Sequence, residues 1–245
     1  MMRINKFLAE AGVCSRRGAD ALVLSGAVLI NGLAAEIGAQ VDEAKDRVEV
    51  NGVLVAPRKS QPCCLMLNKP VRVLSTARDP EGRQTVLDLV PEPLRMGRRL
   101  YPVGRLDYFS EGLILLTDDG ALTQRLVHPR HHVAKTYRVL VRGRVTDAAL
   151  KAMRGGMTLA EGERLAPVDV KVVSGREGKT QLEMTLRQGV NRQIRRMMRD
   201  LGLTVLRLIR VAEGPLALGS LPVGGVRPLS PGELSALRRE LGLED

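Results

Sequence analysis

The segment Gly104-Arg105-Leu106-Asp107-Tyr108-Phe109-Ser110-Glu111-Gly112 sets one carboxylate in a loop between two glycines, just ahead of an apolar run, Leu113 to Thr117. An arginine precedes that carboxylate by two residues and a tyrosine follows it directly. A tight turn presenting a single ionised Asp suits a site that uses a carboxylate as nucleophile. The same residues also fit an ordinary ion pair between Asp107 and Arg105, or an Asx-turn, and spacing alone leaves both readings open. Lys135-Thr136-Tyr137-Arg138-Val139 reads as a strand. Its tyrosine is either a half-buried sheet residue or a platform for one base, with a phenol able to take part in proton transfer. The third segment is Leu186 to Arg199. A helix from about Asn191 sets Ile194, Met197, Met198 and Leu201 on one face, and Arg192, Arg195, Arg196 and Arg199 on the other. Four guanidiniums so crowded repel one another, and phosphates would neutralise them; a solvated basic face is the alternative.

Composition narrows the partner class. The 245 residues carry a formal net charge of +11 and are 44% hydrophobic, which suits a folded protein that meets a polyanion, with nucleic acid as the first expectation. Aromatic residues are only 2%, with no Trp, so a multi-base stacking platform of the RRM or OB kind is hard to build. Cys14, Cys63 and Cys64 are odd in number and two are adjacent, which indicates no disulfide framework and a reducing, cytoplasmic setting. His128, His131 and His132 lack a spaced Cys or carboxylate set, so they read as loop residues and no metal is expected. Neither a signal core nor a membrane-length apolar run is present, and no membrane partner is expected.

The elements that must position these groups fall into two segments. Ile4, Phe7, Leu8 and Ala11 recur at helical spacing up to Gly12; Ser15 can cap a second helix with Ala19, Leu22 and Val23 as its buried stripe. Asn31-Gly32 and Asn51-Gly52 between short β-like runs predict tight hairpin turns. Arg16 and Arg17 fall in the first turn of the second helix, where backbone amides already favour phosphate. Residues 56–62, with two prolines and charge, read as a linker. Beyond it, strands are expected over residues 64–68, 72–75, 113–117, 133–141, 168–173, 180–186 and 204–211, with a closing helix from about Glu233. The balance predicts an α+β fold with an antiparallel or mixed sheet.

Together these pieces resemble the RsuA/RluB-type pseudouridine synthases. The resemblance rests on Gly104-Arg105-Leu106-Asp107 with its Gly-Leu-Ile-Leu-Leu-Thr continuation, Lys135-Thr136-Tyr137, Asn191 to Met197, and Leu67-Asn68-Lys69-Pro70. Ser15-Arg16-Arg17 and Val28 to Gly32 are similar to an S4 RNA-binding domain, which this family carries in front. The sequence departs from the family pattern at Ser110 (usually Thr), Glu111 (usually small), Asp118 (usually Asn) and Arg72 (often Gly).

The resemblance implies an S4 domain over residues 1–60, a catalytic domain over 62–240, and isomerisation of uridine to pseudouridine in ribosomal RNA without a cofactor. It makes Asp107 the nucleophile, stacks Tyr137 on the flipped uracil, pairs Arg195 with Asp107 and packs Ile194 against the base. Arg105 holds the nucleotide out of its stack, and Arg16, Arg17, Arg192 and Arg196 contact RNA. Because a regular helix from Asn191 turns Arg195 away from a pocket, Gln193 to Arg195 are expected to end a strand or loop, with the helix just after. Asp79-Pro80-Glu81-Gly82 and His128-Pro129 look most like RluB-type enzymes, acting on 23S RNA or a pre-50S particle as a monomer; the front segment is equally close to the RluF type. A small-subunit enzyme, or a non-catalytic S4-type ribosome-assembly factor, is the alternative.

Overall fold

Strand β1 (Met2–Arg3) leads into helix α1 (Ile4–Glu10), which buries Ile4, Phe7 and Leu8 and ends just before Gly12 takes a φ of +83°. Ser15 caps α2 (Arg16–Leu24), its hydroxyl accepting from the Gly18 amide at 2.9 Å. Ala19 and Val23 are buried, whereas Arg16 and Arg17 are exposed at its first turn. Then come β2 (Val28–Ile30), β3 (Leu33–Ala34), β4 (Gln40–Val41), which pairs with β1, and the hairpin β5 (Val48–Val50) and β6 (Val53–Val55). Both Asn-Gly pairs adopt positive φ at both residues, +53° and +82° at 31–32 and +50° and +76° at 51–52, the turn whose twist matches an antiparallel hairpin. This computed structural model describes residues 1–56, 61–95 and 97–243; most of the expected linker, residues 57–60, lies outside them.

Contacts divide the chain into two compact units. One holds Met1–Pro62 with the short pieces Gly97–Arg99 and Asp118–Gly120, and the other holds the remainder. The larger unit is built from β7 (Cys64–Lys69), α3 (Glu92–Arg95), β8 (Tyr101–Val103), β9 (Glu111–Thr117), α4 (Gly120–Val127), β10 (Lys135–Arg142), α5 (Asp147–Gly155), β11 (Asp169–Arg176), β12 (Lys179–Leu186), α6 (Gln193–Asp200), β13 (Thr204–Glu213), β14 (Leu216–Ala217), β15 (Val226–Pro228) and α7 (Pro231–Glu240). Its sheet runs β11-β12-β10-β13-β9-β7-β15, with β8 added on β9 and β14 on β13. Only the β13–β9 pairing is parallel, so this is the mixed α+β sheet that the sequence implies.

Burial explains the two kinds of strand. Strand β12 alternates, with Leu182, Met184 and Leu186 facing a core shared with Met153 of α5 and Met197 and Met198 of α6. Strands β7 and β9 are covered on both faces: Leu65, Leu67, Ile114 and Leu116 join one cluster, Met66, Leu113 and Leu115 another. Continuous apolar runs are what such two-sided burial requires. The strand expected at 72–75 does not form. Pro70 supplies no amide, Arg72 adopts a φ of +62°, and only Leu74 makes an isolated bridge, to Thr85.

One backbone contact fixes where the site residues meet. Gly112 pairs with Arg210 across the parallel β9–β13 junction at a φ of +106°. A Cβ there would collide with the Arg210 backbone on three atoms. Gly112→Ala is therefore expected to cost at least about 2 kcal/mol of stability, measured by urea unfolding, because it combines steric overlap with a conformation that L side chains rarely adopt.

Candidate active site

Five consecutive carbonyls of the Asp107 loop each have a hydrogen-bond donor. The Ser75 hydroxyl donates to Leu106 O at 2.9 Å and accepts from the Leu106 amide at 3.1 Å. The Ser110 amide closes the turn onto Asp107 O at 2.9 Å, the Arg72 amide donates to Tyr108 O at 2.6 Å, and Arg195 Nη2 donates to Phe109 O at 2.7 Å. Lys69 Nζ donates to Ser110 O at 2.9 Å, to Asp107 O at 3.2 Å and to Pro70 O at 2.9 Å. A loop with five consecutive carbonyls engaged in this way is held in place. Asp107 is presented on a fixed frame.

Lys69 itself is fully buried at the end of β7. Burial pulls its pKa down to about 8 from an ordinary 10.5, and the charges of Asp107 and Glu111 oppose that shift. Its three protons serve three carbonyls.

The Asp107 side chain lines a cavity of about 380 Å³, together with Arg105, Tyr137, Arg192, Ile194 and Arg195. Arg192 Nη1 lies 3.5 Å and Arg195 Nε 3.8 Å from Asp107 Oδ2. Arg195 is largely buried, and its Nε has no hydrogen-bond partner among the described residues, while its Nη2 also reaches Ser110 Oγ at 3.3 Å. Such pairs often close further when substrate binds. Arg195 sits in the first turn of α6, so the expectation that Gln193 to Arg195 end a strand or loop is corrected. Arg192 takes a left-handed φ of +50° as the cap residue, and the helix starts at Gln193 with Arg195 reaching the cavity from it. Ile194 is buried in the wall and packs with Met197 and Met198.

The crowded arginines of α6 do not need phosphate to balance them, contrary to the expectation from sequence. Arg196 pairs with Glu163 at 2.7 Å and Glu161 at 3.4 Å; Arg199 pairs with Glu161 at 2.6 Å and Asp200 at 2.8 Å. The protein's own carboxylates meet the charge that phosphates were invoked to neutralise. Arg105 is exposed and makes no hydrogen bond or ion pair among the described residues. Arg16 and Arg17 lie in the other unit.

Two further wall residues, Arg210 and Glu213, were missed in the sequence, where Lys135 and Gln193 entered only as parts of motifs. Arg210 and Glu213 are almost fully buried, 3.5 Å apart, and Lys135 Nζ lies 3.7 Å from Glu213. Arg210 Nε donates to Leu113 O at 2.7 Å. Burial raises the pKa of the Tyr137 phenol, and the neighbouring Arg210 guanidinium pulls it back. Gln193 is buried in the same wall, and neither end of its carboxamide is hydrogen-bonded among the described residues. Lys69 and Arg210 left a signal, a cation on an otherwise apolar inward phase of a strand.

The clamp makes a pH prediction with opposite signs for rate and stability. A neutral Lys69 amine has two protons for three carbonyls, so the single-turnover rate should fall as pH rises through about 8. Because the folded pKa lies below the unfolded one, the unfolded chain binds more protons from about pH 8 to 10.5, and the Lys69 contribution to stability rises across that window. A rate that stays flat between pH 7 and 9.5 would contradict the clamp.

Comparison with known proteins shows the family. The model of the RNA pseudouridylate synthase family matches residues 64–200, and that of the S4 domain residues 2–54. The ribosomal large subunit pseudouridine synthase B of Bacillus subtilis is 38% identical over 241 residues, covering 97% of this chain and 96% of that one. The dual-specificity RNA pseudouridine synthase RluF of Escherichia coli O6:H1 is 38% identical over 95% of this chain and 77% of its own. A crystal structure of a pseudouridylate synthase superposes with a TM-score of 0.69 at 29% identity, covering 97% of this chain and 100% of that one. Asp107, Tyr137 and Arg195 all fall inside the matched catalytic region, and the chain belongs to the RNA pseudouridylate synthase family: it is a pseudouridine synthase with an S4 domain in front.

Proposed function

We propose that this enzyme isomerises a uridine of large-subunit ribosomal RNA, with Asp107 as the nucleophile and no cofactor. The observation that carries the reading is one carboxylate on a loop whose carbonyls from Leu106 to Ser110 are all hydrogen-bonded, in the wall of a cavity of about 380 Å³ that two guanidiniums and one tyrosine also line. Isomerisation breaks the N1–C1′ bond, turns the base and joins C5 to C1′. The C5 proton leaves and N1 gains one. Nothing is oxidised and no group is imported, so the residues present need no helper. Arg195, with Arg192, holds the Asp107 carboxylate; Tyr137 stacks on the uracil and Ile194 packs against it. Arg105 keeps the nucleotide out of its stack, and Arg196 assists the RNA contact only where phosphate displaces Glu161 or Glu163.

Flipping a base costs a few kcal/mol, which contacts to the surrounding phosphates can offset. Residues 1–60, with Arg16 and Arg17 at a helix N-terminus, supply such contacts to the 62–240 catalytic domain. The enzyme acts as a monomer in this reading. Large-subunit RNA, free or in a pre-50S particle in the cytoplasm, is favoured by the large-subunit relative that matches nearly end to end.

The test is release of tritium from C5-labelled rRNA, since forming the C5–C1′ bond must expel that hydrogen. Release from large-subunit but not small-subunit RNA is expected; release from small-subunit RNA alone would overturn the substrate class, and none from either would overturn the reaction. Changing Arg16 and Arg17 together to Ala should weaken RNA binding and reduce the slope of log affinity against log salt by about 1.5. An unchanged slope would remove the front segment as the docking arm.

A further inference from the structure

The chain has only two Phe and three Tyr. Two of these five stand side by side directly after Asp107, and both reach solvent: Tyr108 is 36% exposed and Phe109 59%. Scattered exposed apolar residues are ordinary on protein surfaces. These two differ because they are adjacent, sit at the site and are held still. Their rings meet edge to face, with centroids 5.1 Å apart and planes at 79°, an arrangement that aromatic quadrupoles favour. The backbone beneath each ring is pinned, Tyr108 O by the Arg72 amide at 2.6 Å and Phe109 O by Arg195 Nη2 at 2.7 Å. The guanidinium that fixes Phe109 is the one whose Nε lies 3.8 Å from Asp107. The ring position is thereby tied to that of the carboxylate.

Neither ring lines the cavity, so neither is placed to contact a base held within it. Arg105 is exposed two residues before Asp107, and Arg83, itself paired with Asp79 and Glu81, lies close enough to interact with the Tyr108 phenol. On a chain of net charge +11 that belongs to the RNA pseudouridylate synthase family, exposed aromatic faces beside the site suit the bases of a polyanionic strand better than an apolar protein surface.

We propose that Phe109, buttressed by Tyr108, stacks on the nucleobase next to the target uridine and replaces the stacking partner lost when the uridine flips out. This inference rests on the cavity being the uridine site. Every base offers a π-face, so the contact adds affinity and holds the flipped state open without selecting sequence.

The experiment uses the full-length protein and an rRNA fragment containing the uridine located by tritium release, with 2-aminopurine at one neighbouring position and then at the other. Wild type should quench the probe at one of the two positions. Phe109→Ala should abolish that quenching and weaken binding roughly five- to a hundredfold, the range that one lost base–aromatic stack gives, with no loss of thermal stability. Phe109→Trp should restore both. Wild-type conversion together with unchanged quenching and affinity in Phe109→Ala would overturn this inference alone. Absence of wild-type conversion on any fragment would overturn the uridine-site reading, and this inference with it.

Discussion

The Lys69 ammonium lies at the end of a strand buried on both faces and serves three backbone carbonyls, two of them in the loop that carries Asp107. A cation removed from water costs several kcal/mol unless hydrogen bonds replace its hydration. Here the replacements are the loop's own carbonyls, so the loop cannot relax without leaving the charge unserved. Burial cost and loop geometry become one constraint. Ser75, Arg72 and Arg195 extend it until every carbonyl from Leu106 to Ser110 is engaged. A carboxylate that is to serve as the proposed nucleophile of a reaction that imports no reagent must be supplied already aligned, and this frame supplies that alignment.

Charge around the cavity follows the same logic. Asp107 faces Arg192 and Arg195, while Glu213 joins Arg210 and Lys135 behind Tyr137. The second group is a buried ion cluster, of the kind whose disruption by removal of one partner costs about 3–5 kcal/mol. It backs the tyrosine with fixed charges in place of mobile water. Gly112 lets β13 approach β9 closely enough for Arg210 to reach the Leu113 carbonyl. Packing, electrostatics and the presented carboxylate therefore share one sheet junction.

The motif residues were legible because their types are unusual for their positions. The types of Asp107, Tyr137 and Arg195 still left structural readings open, and only the family resemblance joined them in one site; the structure brings all three to one cavity wall. The Asn-Gly turns and the Ser15 cap are local signals with local causes, and they formed as expected. What stayed hidden depends on register. Tyr137 lies opposite Arg210, but Thr136 lies opposite Ala212, so Val211 is an extra residue in β13. That bulge puts Arg210 and Glu213, three residues apart, on one face, where simple alternation would separate them. The helix start at Gln193 was hidden for a related reason: Arg192 is a non-glycine residue in a left-handed cap, a conformation that residue type does not announce.

The central claim is that Asp107 acts chemically rather than as a docking group. Its most direct test compares C5 tritium release and RNA affinity for wild type and Asp107→Asn, which keeps the side-chain shape and removes the charge. The account predicts that release vanishes while affinity stays within about threefold, because Arg16 and Arg17, the proposed docking pair, lie in the front segment. Substantial release by Asp107→Asn, or a loss of release that only follows a collapse in binding, would contradict it.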